Sequence, residues 1–257
     1  MTDADQVVVL ERRERVLLIT LNRPEARNAV NAALANALAE ALDQLDDEPQ
    51  LLVGILTGTP PGFCAGMDLK AFVAGESPWV GDRGFAGIAQ RGSRKPLIAA
   101  VEGFAMAGGF EIALACDLIV AARGTRFAIP EVKRGLFAGA GALLHLPRRI
   151  PYHVAMEMAL TGDPLLAERL YDFGLVNRLT EPGNSLATAF ELAAAITANS
   201  PLSIRTTKAA VEHARDETLS DAWEYQGELW ATILASPDAR EGALAFAEKR
   251  PPNWQTS

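Results

Sequence analysis

Apolar residues recur at every third or fourth position between Asn31 and Leu45, where four leucines form a single stripe. This spacing predicts an amphipathic helix. Shorter apolar runs predict strands, at Gln6–Leu10, Val16–Leu21, Leu51–Thr57, Leu97–Val101 and Asp117–Ala121. A helical pattern or a glycine-rich bend follows most of these strands. The alternation predicts an α/β core with a largely covered sheet.

The pattern changes near Gly183, beyond which helical periods dominate and no good strand remains. Helices are expected at Ala187–Ala198, Leu202–His213, Leu219–Leu234 and Asp238–Lys249, two of them with a proline near the start. We therefore expect a core containing the active site over residues 1–182 and a helical oligomerisation region over 183–257. The polar segment 75–95 has weak periodicity and is expected to be a mobile surface loop or a loose helix.

Composition narrows the function classes. The 257 residues are 49% hydrophobic and 22% charged, with a net charge of −8, which disfavours a generally basic nucleic-acid surface. The chain has no apolar run of membrane-spanning length, and residues 1–6 lack the pattern of a secretion signal. Its two cysteines form no close-spaced pair, which favours a reducing, cytoplasmic location.

Two glycine-containing segments are candidates for binding a negative oxygen. Gly108 and Gly109 precede a helical run, and the first N–H groups of a helix have no internal partner. The segment Phe63–Lys70 also follows a strand and a turn, so the amide of Met67 is a second candidate donor. Taken singly, Gly108 and Gly109 are explained better by tight packing of a helix against a strand, and Phe63–Lys70 by an ordinary strand-to-helix turn.

Two glutamates follow these segments in the sequence. Glu111 lies about one helical turn after Gly108, and Glu131 follows Pro130 in a loop. A carboxyl group with a raised pKa can serve as a general acid or base near neutral pH. The competing explanations are a carboxylate that stabilises a helix N-terminus and a solvated helix start. Either is the better explanation of its glutamate in isolation.

Other chemistries have less support. The three histidines lack the spacing of metal ligands, and the chain has no nucleophile elbow, phosphate-binding loop or complete dinucleotide motif. Cys64 has no evident neighbouring base and is expected to be a small buried residue.

Taken in order, several segments resemble the enoyl-CoA hydratase/isomerase family of the crotonase superfamily. They span nearly the whole chain: Leu21–Ala29, Phe63–Lys70, Pro96–Gly103, Ala107–Glu111, Phe127–Glu131, Leu160–Gly162, Gly174–Asn177 and Glu241–Arg250. The resemblance implies a spiral core of ββα units, a helical C-terminal trimerisation region and hexamers built as dimers of trimers. It also implies an acyl-CoA substrate and no metal or redox cofactor.

The resemblance also implies roles for individual residues. Met67 and Gly108 match the oxyanion-hole amides, Glu111 and Glu131 match the two glutamates of hydratases, and Gly139 matches a glycine that helps place the reacting water. The segment that lines the coenzyme A arm is matched by Ala65, Met67, Asp68, Leu69 and Lys70, and C-terminal residues that reach coenzyme A are matched by Phe246 and Lys249. The expected reaction is addition of water to a trans-2-enoyl-CoA, giving a 3-hydroxyacyl-CoA.

One loop departs from the hydratase pattern. A proline and a glycine that are usual there are replaced by Ala138 and Ala142, and Leu143 and Leu144 stand where polar residues are common. A Δ3-Δ2-enoyl-CoA isomerase and a specialised dehydratase remain alternatives, although the presence of both glutamates favours hydration. An acyl-CoA-binding protein with little turnover is a third, and the acyl group itself stays open.

Overall fold

The computed structural model describes residues 6–255. Within them, the strands β1 to β11 are Val8–Arg13, Val16–Leu21, Val53–Gly58, Trp79–Val80, Gly84–Phe85, Leu97–Val101, Phe104–Met106, Leu118–Ala122, Arg126–Ala128, Leu165–Leu166 and Arg178–Thr180. The helices α1 to α10 are Ala32–Asp47, Leu69–Val73, Gly108–Ala115, Ala142–Arg149, Tyr152–Thr161, Ala167–Asp172, Ser185–Thr197, Pro201–Asp216, Leu219–Leu234 and Pro237–Glu248. Short 3₁₀ helices include Pro130–Arg134, which carries one of the two glutamates.

The main sheet has six strands in the order β1-β2-β3-β6-β8-β11. Strand β1 pairs antiparallel with β2, and every later pairing in this sheet is parallel. A smaller sheet has the order β10-β9-β7, with β7 and β9 parallel. The chain passes from β6 to β7 and then to α3, and from β8 to β9 and then to the 3₁₀ helix. Each of these two turns of the spiral contributes one strand to each sheet.

Alternating side chains of the main sheet enter two apolar cores. One face packs on α1, which buries the predicted leucine stripe and is capped by Asn31, whose side chain accepts from the Leu34 N–H. The other face packs on α7 through Ala189 and Ala193. Because both faces are covered, the central strands are almost continuously apolar.

The predicted α/β core and C-terminal helices are confirmed. Strands β2 and β6 and helix α9 have the predicted bounds, and the remaining predicted elements shift by one to three residues at their ends. The division at residue 183 stays a prediction, since α7 lies beyond it and still packs on the sheet. Among residues 6–255, no helix is long and apolar enough to cross a bilayer. The absence of a secretion signal was predicted from residues 1–6, of which 1–5 lie outside the described range.

The prediction of a mobile surface loop at 75–95 is wrong for its central part. Arg83 is only 2% exposed, donates to the carbonyl oxygens of Arg91 and Gly92 and forms an ion pair with Asp43. Phe85 and Ile88 belong to the core. The polar composition concealed this arrangement because the charge of the buried arginine is balanced by Asp43, which lies far away in the sequence.

Candidate active site

The spiral aligns three chain segments side by side, at the ends of the strands of the small sheet. Cys64 forms an isolated parallel bridge with Ala105, and Ala105 pairs in parallel with Phe127. Three residues after these positions come Met67, Gly108 and Pro130, the last directly before Glu131. The backbone register therefore brings the two candidate donor segments and one candidate glutamate to neighbouring places, although they lie far apart in the sequence.

Hydrogen bonds of the flanking residues Gly66 and Asp68, and not of the Met67 amide, fix the position of Met67. The Val30 N–H donates to the Gly66 oxygen at 2.8 Å, and the Asp68 N–H donates to the Val30 oxygen at 2.9 Å. In an extended segment, successive peptide N–H groups point in opposite directions. The Met67 N–H therefore points away from Val30, and no acceptor for it is present among residues 6–255.

Gly108 is the first residue of α3, so its N–H has no partner inside the helix. The preceding residue, Ala107, has φ 53° and donates its own N–H to the Ala128 oxygen at 2.8 Å. A positive φ at an alanine is a strained conformation, and such strain clusters at functional sites. This turn starts α3 with the positive end of the helix dipole beside the Gly108 amide, for which residues 6–255 provide no acceptor.

Close backbone packing sets these two segments against each other. A Cβ atom on Gly66 would lie 3.0 Å from the Gly108 nitrogen and 2.7 Å from the Ala107 Cβ. A Cβ on Gly109 would lie 2.2 Å from the Cys64 oxygen, and one on Gly108 would meet the Phe85 ring at 2.5 Å. A side chain at any of these three positions would force its neighbours to move, so glycine allows the Met67 and Gly108 segments to pack directly against each other.

Glu111 lies one turn into α3 and is 4% exposed. One of its carboxyl oxygens accepts from the Ala140 N–H at 2.8 Å and from the Ala142 N–H at 3.1 Å. Burial raises the pKa of this group to about 7, and the negative charge of Glu131 adds to the rise, while the two amides oppose it. The carboxyl group is thus fixed in place and poised to exchange a proton near neutral pH.

Glu131 has a different environment. Its side chain is half-buried, and its Oε2 atom is shielded from solvent and has no hydrogen-bond partner within the described part of the chain. Burial is the largest cause of the upward shift in its pKa. A buried acceptor without a partner is costly, so this oxygen is suited to bind a water molecule or a substrate group. The negative charge of Glu131 is close enough to Glu111 to raise the pKa of that group.

The loop that contacts Glu111 contains donors that sequence reasoning missed. The amides that bind this glutamate belong to Ala140 and Ala142, whereas Gly139 is exposed and its role in placing water stays a prediction. Gly141 lies between the two donors with φ 118°, which lets both N–H groups turn toward one oxygen. One signal in the sequence could have identified these two donors. It is a glycine between two small residues in the loop that follows the predicted catalytic acids.

The residues expected along the coenzyme A arm begin helix α2. Asp68 caps this helix, Leu69 and Lys70 are exposed, and Ala65 is half-buried and donates its N–H to the Arg27 oxygen at 3.1 Å. The Lys70 ammonium is therefore available to an anionic group. At the far end of the chain, Phe246 is 88% exposed and Lys249 ends α10 with φ 56°. Both are accessible, and their contact with coenzyme A stays a prediction.

Comparison with known proteins gives consistent results. The family model described as enoyl-CoA hydratase/isomerase matches residues 11–257. The crystal structure of enoyl-CoA hydratase EchA1 from Mycobacterium marinum is 56% identical with a TM-score of 0.96, over 98% of this chain and 100% of that one. Enoyl-CoA hydratase EchA19 of Mycobacterium tuberculosis is 39% identical over 96% of each chain. The carnitinyl-CoA dehydratase of Escherichia coli K12 is 41% identical, over 96% of this chain and 97% of its own.

Proposed function

The chain belongs to the enoyl-CoA hydratase/isomerase family and has the crotonase fold, and we propose that it adds water across the C2=C3 bond of a trans-2-enoyl-CoA. Two carboxyl groups with raised pKa values, one buried and one half-buried, carry this proposal together with two backbone amides that have no acceptor among residues 6–255. Two acids and an oxyanion site are the groups that the hydration of a conjugated thioester requires.

In this mechanism the thioester oxygen accepts hydrogen bonds from the N–H groups of Met67 and Gly108. These bonds strengthen as negative charge moves to the oxygen, so they stabilise the enolate-like transition state more than the ground state. Glu111 and Glu131 bind the reacting water between them. The water oxygen bonds to C3 while one glutamate, as a carboxylate, accepts the proton that the water loses. The other glutamate, in its protonated form, gives its proton to C2, and transfer of the proton gained by the first glutamate then restores both groups. The net product is a 3-hydroxyacyl-CoA.

The altered loop at Ala138–His145 does not remove the contacts that the acid needs. Ala142 stands where hydratases often have glycine, but its contribution is a backbone N–H, which alanine also supplies. The reason for considering an acyl-CoA-binding protein without turnover is thereby weakened. A specialised dehydratase remains the second candidate, because the similarity to carnitinyl-CoA dehydratase covers nearly the whole chain. A dehydratase would use the same groups to remove water from a 3-hydroxyacyl-CoA, which is the reverse of hydration.

The substrate is proposed to be an acyl-CoA thioester, with no cofactor beyond the coenzyme A that it carries. The functional assembly is proposed to be a homotrimer or a hexamer built as a dimer of trimers. Four large residues of α9 support this assembly, since they are exposed and recur on one face of the helix: Leu219, Trp223, Trp230 and Leu234. A mass measurement in solution distinguishes the two assemblies from a monomer.

The function is tested by incubating the purified protein with trans-2-enoyl-CoAs of graded length and branching. Loss of the conjugated-thioester absorbance and the mass of the product report hydration, while 3-enoyl-CoAs report isomerisation. We expect hydration of at least one substrate in the panel. Tight binding across the panel without any turnover would instead select the non-catalytic alternative, and conversion of 3-enoyl-CoAs alone would select the isomerase.

A further inference from the structure

The loop at residues 22–30 lies against the segment that carries the Met67 amide. Its anchor is Asn28, which is fully buried and has φ 56°. The Asn28 side chain accepts from the Arg23 N–H at 2.9 Å and donates to the Gly62 oxygen at 2.9 Å. These bonds use backbone groups and the Asn28 side chain only. The loop is therefore anchored at Asn28 by bonds that do not involve the side chain of Arg23.

The Arg23 guanidinium instead links two places on either side of the Met67 amide. One nitrogen donates to the Ala29 oxygen at 2.5 Å, and another donates to a carboxylate oxygen of Asp68 at 3.1 Å. Ala29 precedes Val30, and Asp68 follows Met67. The guanidinium thus spans the bridge between Val30 and Met67 that sets the direction of the Met67 N–H.

Asp68 is constrained on its other side as well. Its second carboxylate oxygen accepts from the N–H groups of Lys70 at 3.1 Å and Ala71 at 3.2 Å, which caps α2. The side chains of Arg23 and Asp68 are only 15% and 16% exposed, so solvent screens this ion pair less than a surface pair. Glu25, the other acid near Arg23, lies 4.0 Å away and is 72% exposed.

We propose that Arg23 is a positioning residue, which holds the Met67 N–H in the direction required to bind the thioester oxygen by tying Asp68 to the Val30 segment. The inference rests on the proposed function and deepens it, since it gives the oxyanion site a supporting ion pair beside the Met67 segment. Arg23 acts through Asp68 and does not itself touch the substrate.

The kinetic test compares the variants R23M, R23K and D68N with the exposed control R12M. Arg12 likewise forms an ion pair with a carboxylate, that of Glu48. Its side chain, however, is 48% exposed, and it lies on the edge strand β1. Complete loss of an oxyanion donor lowers kcat by about 100- to 1000-fold, so partial misalignment in R23M is expected to lower it by roughly 10-fold. KM should change by less than about 3-fold, because the ground-state carbonyl depends less on this bond.

Two further comparisons separate positioning from a general loss of stability. D68N keeps an oxygen that can cap α2 but loses the ion pair, so it should resemble R23M in kcat. The double variant R23M/D68N should lose no more than either single variant, because both changes break the same link. R23K should recover part of the loss in R23M. The control R12M should match the unmodified protein.

A spectroscopic measurement tests the oxyanion site itself. Cinnamoyl-CoA bound to the E131Q protein should absorb at longer wavelength than in water, since hydrogen bonds to its carbonyl oxygen polarise the conjugated system. We expect adding R23M to reduce this shift, while adding R12M leaves it unchanged. If adding R23M or D68N left the absorbance shift of bound cinnamoyl-CoA complete, and if each single variant kept an unchanged kcat, the inference would be overturned. The proposed function would then remain intact. An unmodified protein that hydrates no enoyl-CoA and produces no shift would overturn the proposed function.

Discussion

The two sides of the candidate site are built by different means. The donor side, Met67 and Gly108, consists of backbone groups whose directions follow from strand register and glycine packing. The acid side, Glu111 and Glu131, consists of side chains whose behaviour follows from burial and from the partners they have or lack. The donor side is therefore sensitive to added volume in the backbone packing, whereas the acid side is sensitive to charge.

The acid side should show the largest effect on activity. Replacing Glu131 or Glu111 by glutamine preserves shape but removes the group that exchanges protons. General acid–base catalysis contributes about 100- to 10,000-fold, so we expect kcat for enoyl-CoA hydration to fall within this range in each variant. Steady-state kinetics measure the change, and circular dichroism verifies the fold. Near-normal kcat in E111Q or E131Q would exclude that glutamate from the chemistry.

The donor side should show an intermediate effect when its packing is disturbed. In G66A the added methyl group would crowd the Gly108 nitrogen and Ala107, so kcat is expected to fall by roughly 10- to 100-fold as the two amides separate. Gly75 provides a matched control, because its φ of 90° is close to the 94° of Gly66 but nothing lies within 4 Å of the added atom. Equal losses in G66A and G75A would mean that backbone strain, and not the contact, is responsible.

The raised pKa of Glu111, on the acid side, should also make the free energy of unfolding depend on pH. The folded state holds a proton on Glu111 up to a pKa of about 7, compared with 4.5 in an ordinary carboxyl group, so it binds more protons than the unfolded state between these pH values. The free energy of unfolding therefore falls as pH rises through this window. We expect E111Q to remove a penalty of at most about 3 kcal/mol at pH 8 and almost none near pH 4.5.

This prediction is checked by thermal unfolding of E111Q and the unmodified protein at several pH values. The variant should melt several degrees higher at pH 8, with the difference shrinking as the pH falls. The same variant is expected to have lost activity, so stability and catalysis would change in opposite directions. A lower melting temperature for E111Q at every pH would show that burial of Glu111 carries no penalty.

The smallest effect is expected from A142G. This change restores the residue that hydratases often have, and the N–H that donates to Glu111 is retained. We expect kcat to change by less than about 3-fold, with a loss of stability near 1 kcal/mol because glycine is unfavourable at the start of a helix interior. Kinetics and thermal unfolding of this variant check both parts. A large change in kcat would mean that the methyl group of Ala142 itself shapes the site.

Local patterns predicted the elements better than they predicted the site. The apolar runs of β2 and β6 and the periodicity of α9 determine those elements without reference to the rest of the chain, and their bounds were predicted correctly. The pairing of Cys64 with Ala105 and of Ala105 with Phe127 depends on the spiral, which no local pattern shows. The glutamates were identifiable as candidates, but their proximity follows only from this register.

Backbone donors were harder to predict than side chains. Ala140 and Ala142 carry no functional side chain, so nothing in their identity indicates the hydrogen bonds to Glu111. The burial of Arg83 was missed for a related reason, since its ion-pair partner Asp43 is forty residues away in α1. In both cases the interaction is made by groups that become neighbours only after folding.

The central claim is that two backbone amides and two glutamates serve one reaction centre. It is tested most directly by running the reaction in ¹⁸O-labelled water and locating the label in the product by mass spectrometry. We predict one ¹⁸O atom at C3 of the 3-hydroxyacyl-CoA, formed rapidly by the unmodified protein and by G75A but slowly by E131Q and G66A. Labelling by E131Q and G66A at the rate of the unmodified protein would contradict the account.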